Sequence, residues 1–282
     1  MKPTGNGGFL RLQEDNMLFS VQEAGLGLVW VPVDCNGGSF DTLYNGQLVK
    51  SGSDGVLPLG AASGAADTST KAIPFGVIVG NNLKEQLYNS TYHTNYITSK
   101  SPHDNTTEYV SVEGPWGKGD KSAMVLVHMI GPQTKIRGGL YGSSFGTVLA
   151  EQTVTTGSAS GAGYTAGAAG FTPVADLCTV YCRKGANLGC YRITTDTSTT
   201  VRTVDHYFPS DIAVGDKFCA VGIRHSGSTY MQFDSESTYI LGKNQPATNY
   251  FIVTVEKLDL SESGKESCTF RFATCHFDSA RA

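Results

Sequence analysis

The sequence predicts an all-β protein. Three observations carry this. Apolar runs of strand length recur between turn signals, no long stretch keeps a helical period, and small residues dominate the intervals. Glycine supplies 34 of the 282 residues and charged residues only 16%, well below the usual quarter. At 40% hydrophobic, the chain still has enough apolar surface to bury a sizeable core.

Taken in order, residues 1–25 read as an N-terminal arm. "TGNGG" is flexible, and "FLRLQEDNMLFSVQEAG" has too few periodic apolar positions to assign to helix or strand. From Leu26 the pattern becomes β. "LGLVWVPV" is a β-branched apolar run, and "GQLVKSG" is a strand entered through the turn pair Asn45-Gly46. A Gly/Ala/Ser excursion at 52–70 with almost no charge precedes the strand "IPFGVIVG". Pro74 lacks a ladder donor, so it belongs at the start of that strand or on an edge. Residues 83–120 form an insertion rich in Tyr, Asn, Thr and His, in which "TEYVSVEG" reads as a strand. "SAMVLVHMIG" is the clearest apolar strand in the chain, and "TKIRGGLYG" follows it.

These elements define a β-barrel domain at 26–141. Residues 142–175 have the composition of a Gly-rich loop or linker. A second β domain occupies 176–282, from "DLCTVYCRKG" to the alternating "ESCTFRFATCHFDS". The expected architecture is two β-barrel or β-sandwich-like parts with long Gly/Ala/Ser-rich loops. A weak internal echo links "PVDCNGGSFDTLYNGQLVKSG" with "TVDHYFPSDIAVGDKFCAVG": in both, a Gly-polar-x-apolar step opens a strand.

Charge excludes some functions. A net charge of −4 with no run of Lys or Arg is the wrong surface for nucleic acid. No apolar run reaches the roughly 20 residues of a membrane-spanning helix. The N-terminus lacks the apolar segment of a secretory signal, so synthesis in a cytosol is expected. There, seven cysteines favour buried free thiols over disulfides. Cys178, Cys182 and Cys190 form one loose trio, and Cys275-His276 a pair. Zinc sites ordinarily need two close pairs, so metal binding is the weaker reading.

"GSSFG" matches the nucleophile elbow, with Ser144 central and Asp205 then His225 or His276 following in hydrolase order. The β-branched, glycine-rich stretch after it is not the helix that motif requires. Such a match arises readily in a chain this rich in glycine and serine. "DCNGG", "SGSDG" and "SPHDN" lack calcium-loop spacing and read as turns. No catalytic, cofactor or metal site is assigned, and the chain reads as non-enzymatic. "QLYNSTYHTNYIT" offers tyrosines suited to a protein or glycan contact, or equally an amphipathic strand face.

"YNGQLVKSG", a small-residue loop and "IPFGVIVGNN" resemble, in that order, the small β-barrels of tailed-phage capsid decoration (cement) and head-fibre proteins. "VLVHMIGPQTKIRGG" is similar to a closing strand of such barrels. The resemblance covers residues 28–82 and extends to 121–141; the insertion and the second β half depart from it. It implies a virion structural protein on the capsid surface. Such a protein binds the major capsid protein between capsomers and self-associates, as a homotrimer, through low-charge faces and loops at 52–70 and 152–174. A receptor- or glycan-binding module of a fibre, tail or neck is the alternative.

Overall fold

The computed structural model describes residues 18–33, 42–52, 55–60, 73–83, 86–98, 124–142, 145–147, 149–167, 178–194, 200–242, 250–275 and 277. Among these the chain is all-β, with twenty strands and no helix. The expected strand "TEYVSVEG" lies outside the described residues.

The first nine strands are β1 (Ser20–Glu23), β2 (Gly27–Pro32), β3 (Thr42–Tyr44), β4 (Leu48–Ser51), β5 (Val56–Pro58), β6 (Pro74–Asn81), β7 (Leu87–Asn89), β8 (Thr94–Thr98) and β9 (Met124–Met129). Five of them form a sheet in the order β2-β9-β6-β4-β5, and a parallel bridge from Val33 to Val56 joins its two ends. The sheet is therefore rolled into a small barrel around Val49, Ile78, Val125 and Val127. Pro74 starts β6, where its missing N–H interrupts nothing. A separate sheet, β3-β8-β7, adds Leu43 and Ile97 to the same core.

β10 (Lys135–Tyr141) belongs to another sheet, completed at the far end of the sequence by β17 (Gly227–Phe233), β18 (Ile240–Leu241), β19 (Phe251–Asp259) and β20 (Ser267–Phe272). β10 pairs with β20 through Ile136–Gly139 and with β18 through Leu140 and Tyr141. β18 pairs with β17, β17 with β19 and β19 with β20. This ring is the central barrel. Phe233, Phe251, Phe270 and Phe272 pack inside it as edge-on and tilted pairs.

Phe19 and β1, both within the stretch read as an arm, belong to this barrel too. β1 pairs with β10, and Phe19 is buried against Phe233 and Phe270 with ring centroids 5.4 and 6.2 Å away. Gly138 makes the room, since a Cβ there would collide with the Phe19 ring.

Between β10 and β17 the chain builds β11 (Glu151–Thr156), β12 (Gly163–Ala166), β13 (Thr179–Lys184), β14 (Tyr191–Ile193), β15 (Val201–Thr203) and β16 (Lys217–Val221). Their order is β14-β13-β16-β11-β12-β15, and an antiparallel bridge from Thr194 to Val204 brings its ends together. This second flanking barrel encloses Val154, Tyr164, Val180, Phe208 and Phe218. The stretch read as a linker at 142–175 thus contains two strands. Its glycines mark close backbone crossings: a Cβ on Gly157 would strike the Ile212 carbonyl, and one on Gly163 the Arg202 carbonyl. Sheet membership also cuts across a division at 142–175, because β10 hydrogen-bonds to β18 and β20.

Strand alternation explains how the barrels adhere. In β4 and β6, Val49 and Ile78 face their own barrel, while Leu48 and Val77 join the central core. In β16, Phe218 and Ala220 face inward, and Cys219 and Val221 pack on the centre. Strands buried on both faces read as unbroken apolar runs, as "KFCAV" does.

The internal echo is also structural. Gly46 and Gly215 both adopt positive φ, 88° and 91°, as a tight turn demands. After each, a polar side chain accepts from the backbone three residues back: Gln47 Oε1 from Tyr44 N at 2.8 Å, Asp216 Oδ2 from Ala213 N at 3.0 Å. Each turn also exchanges two backbone hydrogen bonds with one residue of a strand adjacent in the sheet, Ile78 on β6 or Val154 on β11.

Candidate functional site

The residues singled out in the sequence do not assemble into a reaction centre among the described residues. Ser144, His276 and Cys35 lie outside the described residues. Asp205 is occupied elsewhere: its carboxylate accepts from Ile193 N and His206 N and pairs with His206 Nδ1 at 3.0 Å. His225 stacks flat on Tyr191, 4.4 Å between centroids and 9° between planes, and burial lowers its pKa. Cys178, Cys182 and Cys190 are free thiols on the β13–β14 hairpin. Burial pushes Cys182 up to about 11 and Cys219 to about 12, so both stay protonated and unreactive near neutrality. No three His, Cys, Asp or Glu side chains converge as metal ligands among the described residues.

What is built carefully is the pair of junctions on either side of the central barrel. At the first, Leu48 N donates to Ser237 O at 3.0 Å, and Phe19 N to Gly46 O at 2.9 Å. Gln47 is fully buried; its Nε2 donates to the Glu236 carbonyl while Oε1 holds Tyr44 N. The acceptor segment 234–239 is itself rigid. Asp234 accepts from Glu236 N, Thr238 N, Tyr239 N and the Thr238 hydroxyl. Burial raises the Asp234 pKa against the pull of those four bonds.

A run of rings crosses the same junction: Tyr44 to Tyr92 at 4.7 Å, Tyr92 to Phe145 at 4.7 Å, Phe145 to Tyr141 at 4.8 Å and Tyr141 to Tyr239 at 5.2 Å. Burial, with Glu236 adding to it, pushes the Tyr92 phenol up; burial takes Tyr141 to about 12. The Tyr-rich insertion therefore turns Tyr92 inward to the junction, and Tyr88, 50% exposed, outward.

The second junction is ionic. Arg183 on β13 and Glu266 ahead of β20 form an ion pair with side chains only 6% and 1% exposed. Arg183 Nε also donates to Leu260 O at 2.8 Å, and Glu266 accepts from Gly264 N at 2.8 Å. Tyr191 Oη donates to Leu258 O at 2.8 Å, and the Thr179 hydroxyl donates to Ile223 O at 2.6 Å while accepting from His225 N. Sequence reading missed this pair because Arg183 and Glu266 sit in unremarkable "CRKG" and "SGKES" contexts. Only the fold brings them together.

On the solvent side of the central barrel, Gln22, Glu23, Lys135, Arg137, Lys257 and Asp259 line part of a polar groove of about 450 Å³. Lys135 pairs with Glu23 across it at 2.7 Å. No family model, curated protein or solved structure matches this chain.

Proposed function

We propose that this chain is a non-enzymatic structural protein of a virion: a capsid decoration protein that binds the major capsid protein between capsomers and stabilises the head. The observation that carries the reading is the bracing of three barrels into one body. Gln47 and the 234–239 turn bind one flank, and the Arg183–Glu266 pair binds the other. A clamp across a joint has to transmit tension through its own interior, which favours junctions fastened by buried, directional bonds.

The low charge content supports the same reading, because wide neutral faces bind with little desolvation cost. Affinity then comes from many weak contacts repeated over a symmetric shell. The flanking barrels are the contact elements of this reading and the central barrel is their mount. Mixing the purified chain with capsids that lack it tests this. The chain is expected to co-sediment with them and to raise the temperature at which they open; failure to bind intact capsids sinks the proposal.

The second reading, a receptor- or glycan-binding module, draws on the polar groove and on outward-facing Tyr88. Saturable binding to a glycan array, abolished by Tyr88→Ala, would favour it over the capsid role.

A further inference from the structure

One outward face of the central barrel is shaped by two bulges. In β19 the register slips between Val255 and Lys257, and in β1 between Val21 and Glu23. Val255 and Leu258 point into the core, so Glu256 and Lys257 both turn outward. Val21 packs on the same core, and Gln22 and Glu23 are both exposed. Bulges re-aim side chains in this way and gather beside functional sites. The two residues added by the slips, Gln22 and Glu256, line the same polar groove of about 450 Å³, a volume within the range of small-ligand sites.

Ladder register sets a row of side chains across this groove. Ser20, Arg137, Thr269 and Lys257 stand opposite one another on β1, β10, β20 and β19. Their chain neighbours Ile136, Cys268, Phe270 and Leu258 are core, so the row faces outward and sets a cation on either side of the Thr269 hydroxyl. The charges do not cancel locally. Glu23 is held by Lys135 at 2.7 Å and Glu256 by Arg271 at 2.6 Å, which leaves Asp259 facing two cations. The Ser261 hydroxyl holds the Asp259 carboxyl below its ordinary range, with Lys257 and Arg137 pulling the same way. Arg137 Nε donates to Ser267 Oγ at 3.3 Å. Among the described residues, neither its Nη groups nor Lys257 Nζ has a hydrogen-bonded or ion-paired partner.

We propose that this groove binds an acidic sugar, a saccharide carrying one carboxylate among its hydroxyls. The donors and acceptors present select that ligand. Two cations against one unpaired carboxylate leave a single positive charge, which one ligand carboxylate neutralises, and a guanidinium offers it a planar, paired contact. Gln22, Thr269 and the carboxylates of Glu23, Glu256 and Asp259 accept hydrogen bonds from hydroxyls. A polyanion such as nucleic acid would meet the same three carboxylates and be repelled. The inference rests on the glycan-binding reading for its ligand class. It puts the site on the central barrel and not at Tyr88, which lies on β7 in another sheet.

The test titrates the full, isotope-labelled chain with sodium glucuronate at fixed ionic strength and follows amide chemical shifts. Saturable shifts are expected at residues 135–137, 256–259 and 267–269. Glucose, which lacks the carboxylate, and acetate, which lacks the hydroxyls, should each bind about tenfold more weakly. Arg137→Gln and Lys257→Gln should each weaken glucuronate about tenfold while the rest of the amide spectrum stays in place, and Tyr88→Ala should change nothing. Shifts confined to other residues, no shifts, acetate as tight as glucuronate, or either glutamine variant binding like wild type would each overturn the proposal. The glycan reading is judged separately on the array. Array binding that survives Arg137→Gln and Lys257→Gln sinks this site and leaves that reading standing, whereas binding to neither the array nor glucuronate sinks both.

Discussion

In the first flanking barrel Gln47 closes the turn ahead of β4 and also reaches the central barrel. In the second, Asp216 closes the corresponding turn, and Arg183 from a neighbouring strand does the reaching. The difference follows from the donor inventory of the two side chains. An amide donates and accepts at once, so Gln47 satisfies the Tyr44 N–H and the Glu236 carbonyl without burying a charge. A carboxylate only accepts. Asp216 cannot donate outward, so the second junction is fastened by a cation and its partner, Glu266. Similar barrels are thus mounted on a shared centre by neutral bonding on one side and ionic bonding on the other.

Breaking the ionic side should cost most. Glu266→Gln leaves buried Arg183 with only Glu151, 3.9 Å away, as counter-charge, and a loss of about 3 kcal/mol is expected in urea unfolding. Arg183→Met combined with Glu266→Leu should recover most of that loss, since neither charge is then stranded. If the double variant is no better than Glu266→Gln, the pair contributes something other than charge compensation.

On the neutral side, Gln47→Leu strands a buried N–H and a carbonyl, with an expected cost of about 1–3 kcal/mol. Gln47→Glu sharpens the point: it keeps the acceptor, loses the donor and buries a charge, so it should be less stable than Gln47→Leu at neutral pH. Equal stability would mean that the Glu236 contact is incidental.

The ionic junction also contributes a pH response through His225. Burial lowers the His225 pKa below its ordinary 6.5, so the folded chain binds fewer protons than the unfolded one between those two values. Stability is full above 6.5 and falls as pH drops through it toward the folded value. His225→Phe, which keeps the stack on Tyr191, should flatten that part of the profile; an unchanged slope would assign it elsewhere. The smallest effect belongs to Tyr92→Phe. Its hydroxyl donates at 3.3 Å to Glu236, an exposed residue, and the ring packing survives the change. A loss under about 1 kcal/mol is expected in the same unfolding assay.

Much of the β pattern was legible in the sequence because it is local. "LGLVWVPV" and "SAMVLVHMIG" contain β2 and β9, and "IPFGVIVG" and "NYFIVTVEKL" hold all but the last residue of β6 and β19. Even the weak echo around Gly46 and Gly215 marked a real shared turn. β11, β12 and β1 were not legible. β11 buries only Gln152 and Val154, and its partners β12 and β16 have to be in place before those two positions count as core. Glycines that suggested flexibility at 157 and 163 instead allow backbones to cross. Phe19 became a core residue only through Gly138, more than a hundred positions away. The functional features were less legible still. The polar groove and the two junctions are made by residues distant in sequence.

The sequence by itself determined the class of structure, the position of many strands and turns, and the low charge of the surfaces, because period, propensity and composition act within a few residues. It also determined that β2 carries no charge. The grouping of twenty strands into a central barrel and two flanks was decided only by tertiary structure. That grouping rests on ladder pairings as distant as β10 with β20 and on which face of each strand meets which neighbour. The same holds for the terminal place of β2 in its sheet: its lack of charge is a local property, but whether a strand is central or marginal depends on what the rest of the chain places beside it.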